Sequence, residues 1–215
     1  MSTIEKPSTY YRFTRPEMLP FVPKSARRIL DVGCSQGRFG AALKSELPGA
    51  EVWGVEPDPV AHAAAALVLD RAIPSFFDDK INLPDASFDA IVFNDSLEHF
   101  PDHDAAIAIA RRLLKPGGCI VASVPNVRFW PHLRKYLFNA DWEYQTAGIL
   151  DRTHLRFFTK RSILRTLAQA GFEVTKIQGI NPYRKGIRLA ILRTLLPRGM
   201  QDMLYLQFAL TARRI

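Results

Sequence analysis

Four short apolar runs, separated by stretches of helical character, constrain the fold more than any other feature of the chain. They read RILDV at 28–32, EVWGV at 51–55, FDAIVF at 88–93 and CIVASV at 119–124. A strand that is apolar along its whole length has to be covered on both faces, which is the situation of a parallel strand between two helical layers. The segments 39–47, 59–69 and 104–114 are expected to supply those helices, and Lys115-Pro116-Gly117-Gly118 reads as a helix stop and a turn into the next strand. This repetition predicts an open α/β sheet. Beyond Pro125 the pattern breaks into a polar and aromatic segment reaching about residue 158. A capped helix over 159–170, a strand over 172–178, a basic apolar helix over 186–196 and a last strand over 204–212 then follow.

At 215 residues the whole chain, 1–215, is expected to form a single domain. Its parts are an N-terminal arm (1–28), an insertion over the sheet (126–158) and a basic amphipathic helix (184–200). The first residues contain no apolar signal-like core. The longest nearly apolar run, 60–69, holds His62 and is half a membrane span long. Cys34 and Cys119 cannot build a disulfide framework and have no CxxC partner, so a reducing cytoplasm is the expected location.

The net charge of +8 is unevenly distributed. Residues 1–28 carry +4, residues 29–125 carry −7 and residues 126–215 carry +11. A uniformly basic chain would point to nonspecific nucleic-acid binding. An acidic centre with basic flanks points instead to different ligands for different regions.

The loop Asp31-Val32-Gly33-Cys34-Ser35-Gln36-Gly37 follows the first strand and opens a helix. Glycine lets the backbone approach a ligand there, and the free amides at the helix start favour an anionic group. A dinucleotide fingerprint GxGxxG would need glycines at 33, 35 and 38, where the chain has Gly33, Ser35 and Arg38, which argues against a nicotinamide cofactor. Glu56, directly after the second strand, stands where such sheets place a carboxylate for ribose hydroxyls.

The ordered segments ILDVGCSQGRFG, WGVEPD, LPDASFDAIVFNDSLEHF and LLKPGGCIVASVPN resemble the successive motifs of class I S-adenosylmethionine-dependent methyltransferases, over roughly residues 28–180. RTHLRFFT, at 152–159, is similar to bacterial members associated with surface-glycan assembly. The resemblance implies a Rossmann-like, doubly wound, seven-stranded and mostly parallel sheet, with an antiparallel last strand and a lid insertion at 126–158. It also implies S-adenosyl-L-methionine as cofactor. Asp31 and the backbone of Gly33, Ser35 and Gly37 would hold the cofactor's amino-acid end, Glu56 its ribose, and Asp78 or the adjacent Asp79 its adenine. Asn94 and Asp95 would line the methionine side. Ser35 stands where the family usually has glycine, and it fits the loop provided that its backbone keeps a negative φ. An acidic centre suits a cofactor that carries a sulfonium and an ammonium.

Hydroxyl acceptors usually need a base, and His99 within SLEH and His154 within RTHLRFF are the candidates; no metal is expected. The Asn94-Asp95-Ser96-Leu97 sequence lacks the Asn/Asp-Pro-Pro-aromatic pattern of enzymes that methylate exocyclic base amines, so nucleic acid is not supported as acceptor. Aromatic faces and arginines suit sugars, phosphates and carboxylates. Arg128, Trp130, Trp142, Tyr144, Arg152 and Arg156 in the lid are therefore expected to bind an anionic metabolite or glycan; a local aromatic core is the alternative for the same residues. Tyr10, Tyr11, Arg12 and Arg15 close over this mouth or pack elsewhere. The basic helix, with Ile187, Ile191 and Leu195 at helical spacing, packs on the sheet, forms a homodimer interface or lies peripherally on the inner face of a membrane. The resulting expectation is O-methylation of a glycan or small anionic acceptor. The alternative is a non-catalytic methyltransferase-fold protein that binds nucleic acid or a partner through its basic face.

Overall fold

The computed structural model describes residues 14–215. Seven strands form one sheet: β1 (Arg28–Val32), β2 (Glu51–Val55), β3 (Arg71–Ile73), β4 (Phe88–Asn94), β5 (Leu114–Pro125), β6 (Phe172–Pro182) and β7 (Tyr205–Arg214). Their order is β3-β2-β1-β4-β5-β7-β6. The pairs from β3 to β5 are parallel, whereas β7 lies between β5 and β6 and runs antiparallel to both. The helices are α1 (Arg38–Glu46), α2 (Pro59–Ala65), α3 (His103–Leu113), α4 (Trp130–Asn139), α5 (Lys160–Gln169) and α6 (Gly186–Leu195).

Each face of the sheet has its own core, which explains the unbroken apolar runs. Alternate residues of a strand point to opposite faces. Leu30, Ile91 and Phe93 accordingly pack with Ile107 and Leu113 of α3 and Ile163 and Leu167 of α5. Ile29, Val92 and Val121 pack on the other side with Phe39 and Leu43 of α1 and with Met18 and Phe21. Met18 and Phe21 belong to a 3-10 turn, Pro16–Phe21, so this part of the N-terminal arm is buried against the sheet. Arg15 precedes it and is ion-paired with Asp95 and, at 2.8 Å, with Glu17. Tyr10, Tyr11 and Arg12 lie outside the described residues.

The structure corrects several expected elements. The helix expected to reach residue 69 ends at Ala65, because Leu67 and Val68 bond back three residues, to Ala64 and Ala65, in a tighter turn that delivers Leu69 to the core. Lys115-Pro116-Gly117-Gly118 is a bulge within β5 rather than a turn preceding it: Phe88 pairs with Leu114, Ala90 with Cys119, and the intervening residues loop out of the ladder. The three-residue β3 was not anticipated, since Arg71-Ala72-Ile73 is too short and too exposed for an apolar signal. The 126–158 segment contains helix α4, which carries Trp130, Leu133 and Leu137 at helical spacing yet has no buried residue. The expected cap of α5 is present as a reciprocal pair, Thr159 Oγ1 accepting from the Ser162 amide at 3.1 Å and Ser162 Oγ from the Thr159 amide at 2.9 Å.

Candidate active site

In-register parallel pairing brings the carboxyl ends of β1, β2 and β4 level, with Asp31 opposite Gly54 on one side and Val92 on the other. Ligand crevices of open α/β sheets lie outside such ends. The chain leaving β1 folds over β2: the amides of Gly33 and Cys34 donate to the Val55 carbonyl at 2.9 and 3.2 Å. Gly37 then starts α1 at φ +74°. A Cβ there would lie 2.8 Å from Val68 Cγ2 and 3.2 Å from Ala65 Cα, so only glycine fits.

Ser35 departs from its expected conformation. Its φ is +49°, in the left-handed region, where the expectation required a negative value. Glu56 explains how serine is held there: its Oε2 accepts the Ser35 amide at 2.8 Å while its Oε1 accepts the Asp58 amide at 3.0 Å. The ribose candidate of the sequence thus also braces the loop.

Burial dominates the electrostatics of this crevice. It pushes the Asp31 carboxyl up to about 7, with the Glu56 charge adding to the effect. Glu56 is also raised by burial, an effect opposed by the amides of Asp58 and Ser35. Burial, then Asp31 and Glu56, raise the Cys34 thiol, which keeps it protonated and unreactive. At the end of β4, Asn94 Nδ2 and Oδ1 are buried without a hydrogen-bond partner among the described residues; so are Ser35 Oγ and Ser96 Oγ. Buried polar atoms are ordinarily satisfied, and four of them around one crevice fit a polar ligand. Asp95 faces a different set of partners. Its carboxylate binds Arg15 and accepts Ser123 Oγ at 2.7 Å and Gln207 Nε2 at 2.8 Å. Asp78 is half-buried and accepts the Lys80 amide at 3.0 Å, whereas Asp79 is exposed.

A second cluster begins three residues beyond Asp95. Glu98, fully buried, and His99 lie on the 3-10 turn Leu97–His99, and the chain returning from the lid sets His154 beside them. The two rings meet edge to face with centroids 4.8 Å apart, and His154 Nε2 is 3.9 Å from Glu98 Oε1. The Glu98 carbonyl accepts the amides of Leu155 at 2.8 Å and Arg156 at 3.0 Å, which fastens the returning loop to the turn. Glu98 was not among the sequence candidates; its signal was its place in SLEH, immediately before His99.

The lid residues divide. Arg128 is ion-paired with Asp202 at 2.8 Å, and Trp142, itself partly exposed, packs edge-on against His132, Tyr136 and Phe157 in an aromatic cluster. Trp130 and Tyr144 are partly exposed. Arg152 is exposed, and Arg156 donates to the Pro101 carbonyl. The neck of the insertion is closed by the bridge between Asn126 and Phe158 and by the Val127 amide donating to Phe158 O at 3.0 Å.

A sequence profile described as a methyltransferase domain matches residues 8–177. The chain belongs to this family. A trans-aconitate 2-methyltransferase of Methylobacterium radiotolerans is 33% identical over 127 residues, which cover 56% of this chain and 49% of that protein. A ubiquinone biosynthesis O-methyltransferase of Thiobacillus denitrificans is 29% identical over 178 residues, 78% of this methyltransferase and 74% of that one. The crystal structure of an S-adenosylmethionine-dependent methyltransferase from Archaeoglobus fulgidus shares the fold, with a TM-score of 0.68 at 19% identity over 92% of this chain and 90% of that one. The protein is a class I methyltransferase whose cofactor is S-adenosylmethionine, and the non-catalytic alternative gives way to an enzyme. The Asp31 carboxyl and the unpartnered Asn94, Ser35 and Ser96 atoms fit a ligand that carries an ammonium, a carboxylate and hydroxyls.

Proposed function

We propose that this methyltransferase methylates an oxygen of a small anionic metabolite or a glycan hydroxyl. The observation that carries the reading is the cluster of Glu98, His99 and His154 beside the end of β4, because a hydroxyl acceptor usually needs a group that takes or displaces its proton, whereas for an amine such a group is optional. Two relatives support the same direction by name, one an O-methyltransferase and the other acting on trans-aconitate, a carboxylated acceptor.

In this reading Asp31 and the amides of Gly33, Ser35 and Gly37 hold the amino-acid end of S-adenosylmethionine. Glu56 holds its ribose, Asp78 its adenine, and Asn94 lines its methionine side. The bound cofactor supplies an electrophilic methyl group on a sulfonium. Holding a nucleophile in line with that carbon accounts for as much as roughly 7–11 kcal/mol of barrier reduction. Arg152 and Arg156, on either side of His154 in sequence, attract the acceptor's negative charge, and the exposed faces of Trp130 and Tyr144 offer it apolar contact. Asp79 and Asp95 have weaker support, the first being exposed and the second engaged by Arg15, Ser123 and Gln207.

The test is transfer of a 13C-labelled methyl group from cofactor to a fractionated metabolite extract, read by NMR. A product with its methyl carbon in the O-methyl range, lost in His99→Ala and His154→Ala, is expected. An N-methyl product would remove the reading.

Helix α6 supports a contact of a different kind. Ile187 and Leu195 are about three-quarters exposed and Ile191 is half exposed, with Arg184, Lys185, Arg188 and Arg193 around them. A basic helix with an uncovered apolar face suits a peripheral contact with an anionic lipid surface. No helix among the described residues is long and apolar enough to cross a membrane.

A further inference from the structure

We propose that Glu98, His99 and His154 form a divalent transition-metal site, of the kind that takes Zn2+ or Co2+, with a coordination position open to the acceptor. The site itself stands on geometry; its role in catalysis rests on the oxygen-transfer reading above. It departs from the metal-free expectation of the sequence, where His154 lies more than fifty residues from the adjacent Glu98 and His99.

One donor atom from each residue lies within 4.8 Å of the others, and His154 Nε2 lies 3.9 Å from Glu98 Oε1. Ligand bonds of about 2.0–2.2 Å place donors roughly 3–3.5 Å apart, so the side chains need to close by up to roughly 2 Å to share an ion. Two imidazoles and one carboxylate are borderline donors that suit Zn2+, Co2+ or Fe2+ rather than Mg2+ or Ca2+.

The surroundings orient both rings for ligation. His99 Nδ1 lies 3.0 Å from the Thr153 carbonyl and His154 Nδ1 lies 2.9 Å from the Ile149 carbonyl. A carbonyl only accepts, so each Nδ1 carries the proton, and in the neutral ring Nε2 is the lone-pair nitrogen. Metal-bound histidines are held in this way, by donating the other ring N–H to a carbonyl or carboxylate. The scaffold is also fixed. Two amides of the returning loop bind the Glu98 carbonyl, and Asp151 Oδ1, itself buried, accepts Thr153 N at 2.9 Å and Thr153 Oγ1 at 2.7 Å.

Three protein ligands are the complement of catalytic rather than structural metal sites, which leave a position for water or substrate. An acceptor oxygen in that position would lose its proton to water near neutral pH. The transfer balances as an ordinary displacement: an oxygen–methyl bond forms, the sulfur–methyl bond breaks, and its electron pair remains on sulfur as a neutral thioether. The ion undergoes no redox change.

The test uses the full chain stripped with chelator and titrated with Co2+. Expected are one equivalent bound, a visible d–d band typical of four- or five-coordinate nitrogen and oxygen ligation, and displacement of that band by Zn2+. Glu98→Gln, His99→Gln and His154→Gln should each weaken binding at least tenfold while S-adenosylmethionine affinity, measured by calorimetry, shows the variants folded. His99 is only half-buried, so His99→Gln keeps the test open should the other two variants unfold. Absence of a stoichiometric Co2+ band, or a band unchanged in folded His99→Gln, would overturn the site. Stoichiometric metal with an N-methyl product would keep the site and remove the oxygen reading; no metal with an O-methyl product would do the reverse.

Discussion

Glu56 holds Ser35 in a left-handed backbone conformation: the Ser35 φ is +49°, and its amide donates to Glu56 Oε2 at 2.8 Å. The loop therefore keeps its shape without the glycine usual at this place because a carboxylate after β2 anchors the amide. The same carboxylate caps Asp58 N, so the ends of β1 and β2 are tied through one side chain.

Ser35→Gly should leave the loop intact. It removes a left-handed cost of about 1 kcal/mol and adds a comparable unfolded-state entropy. Thermal denaturation should show little change, and calorimetry should show S-adenosylmethionine affinity within a few-fold of wild type. Ser35→Val puts a β-branched residue at positive φ and should lower both melting temperature and affinity. Glu56→Ala should weaken cofactor binding by about tenfold or more, since it removes a charge-assisted acceptor of about 1.5–3 kcal/mol as well as the brace.

Asp31 makes both stability and binding depend on pH. Its folded pKa, about 7, lies above the unfolded value of 3.8, so between those values the folded state binds more protons than the unfolded state. Stability linked to this group is therefore present below pH 3.8 and is lost as pH rises through 7. Asp31→Asn should stabilise the cofactor-free protein above pH 7 by a few kcal/mol, on the order of a unit pKa shift being 1.4 kcal/mol. Cofactor affinity should change the opposite way, rising from pH 6 to pH 8 as the carboxylate ionises to meet an ammonium. A flat affinity profile in wild type, or the same slope in Asp31→Asn, would count against the assignment.

Gly54 faces Cys34 too closely for any side chain. A Cβ at 54 would sit 2.4 Å from Cys34 Sγ and 2.5 Å from Leu69 Cδ1. Gly54→Ala should cost about 1–3 kcal/mol in a denaturant titration, by overpacking. Adding Cys34→Ala should recover part of the loss, whereas a loss unaltered by Cys34→Ala would place the strain at Leu69.

Helix α6 should bind liposomes rich in anionic lipid and release them at high salt. Arg188→Glu combined with Arg193→Glu should abolish sedimentation with the liposomes and leave S-adenosylmethionine binding unchanged, because α6 lies far from the strand ends in sequence and has no buried residue.

The sheet was legible because its signals are local. β1 and β2 coincide with RILDV and EVWGV, and parallel pairing then aligns the strand ends, so Asp31, Gly33, Glu56 and Asn94 share one crevice. The charge partition likewise follows from sequence alone. Two elements escaped: β3 is only three residues long, and α4 lies in the aromatic segment beyond Pro125 and buries nothing.

Tertiary structure decided the rest, because long-range pairings leave no trace in local periodicity. Arg128 and Trp142 look like substrate contacts in sequence, and the fold gives them the additional partners Asp202 and an aromatic cluster. The φ of Ser35 depends on Glu56, a residue of the next strand's exit. Glu98 reads as an ordinary acidic residue until the loop returning from residue 150 lays two amides on its carbonyl and sets His154 against its carboxylate. The apolar pattern of the sequence determines where strands end and hence where the crevice at their carboxyl ends lies. Which polar groups converge beside the end of β4 depends on contacts between segments that only the folded chain brings together.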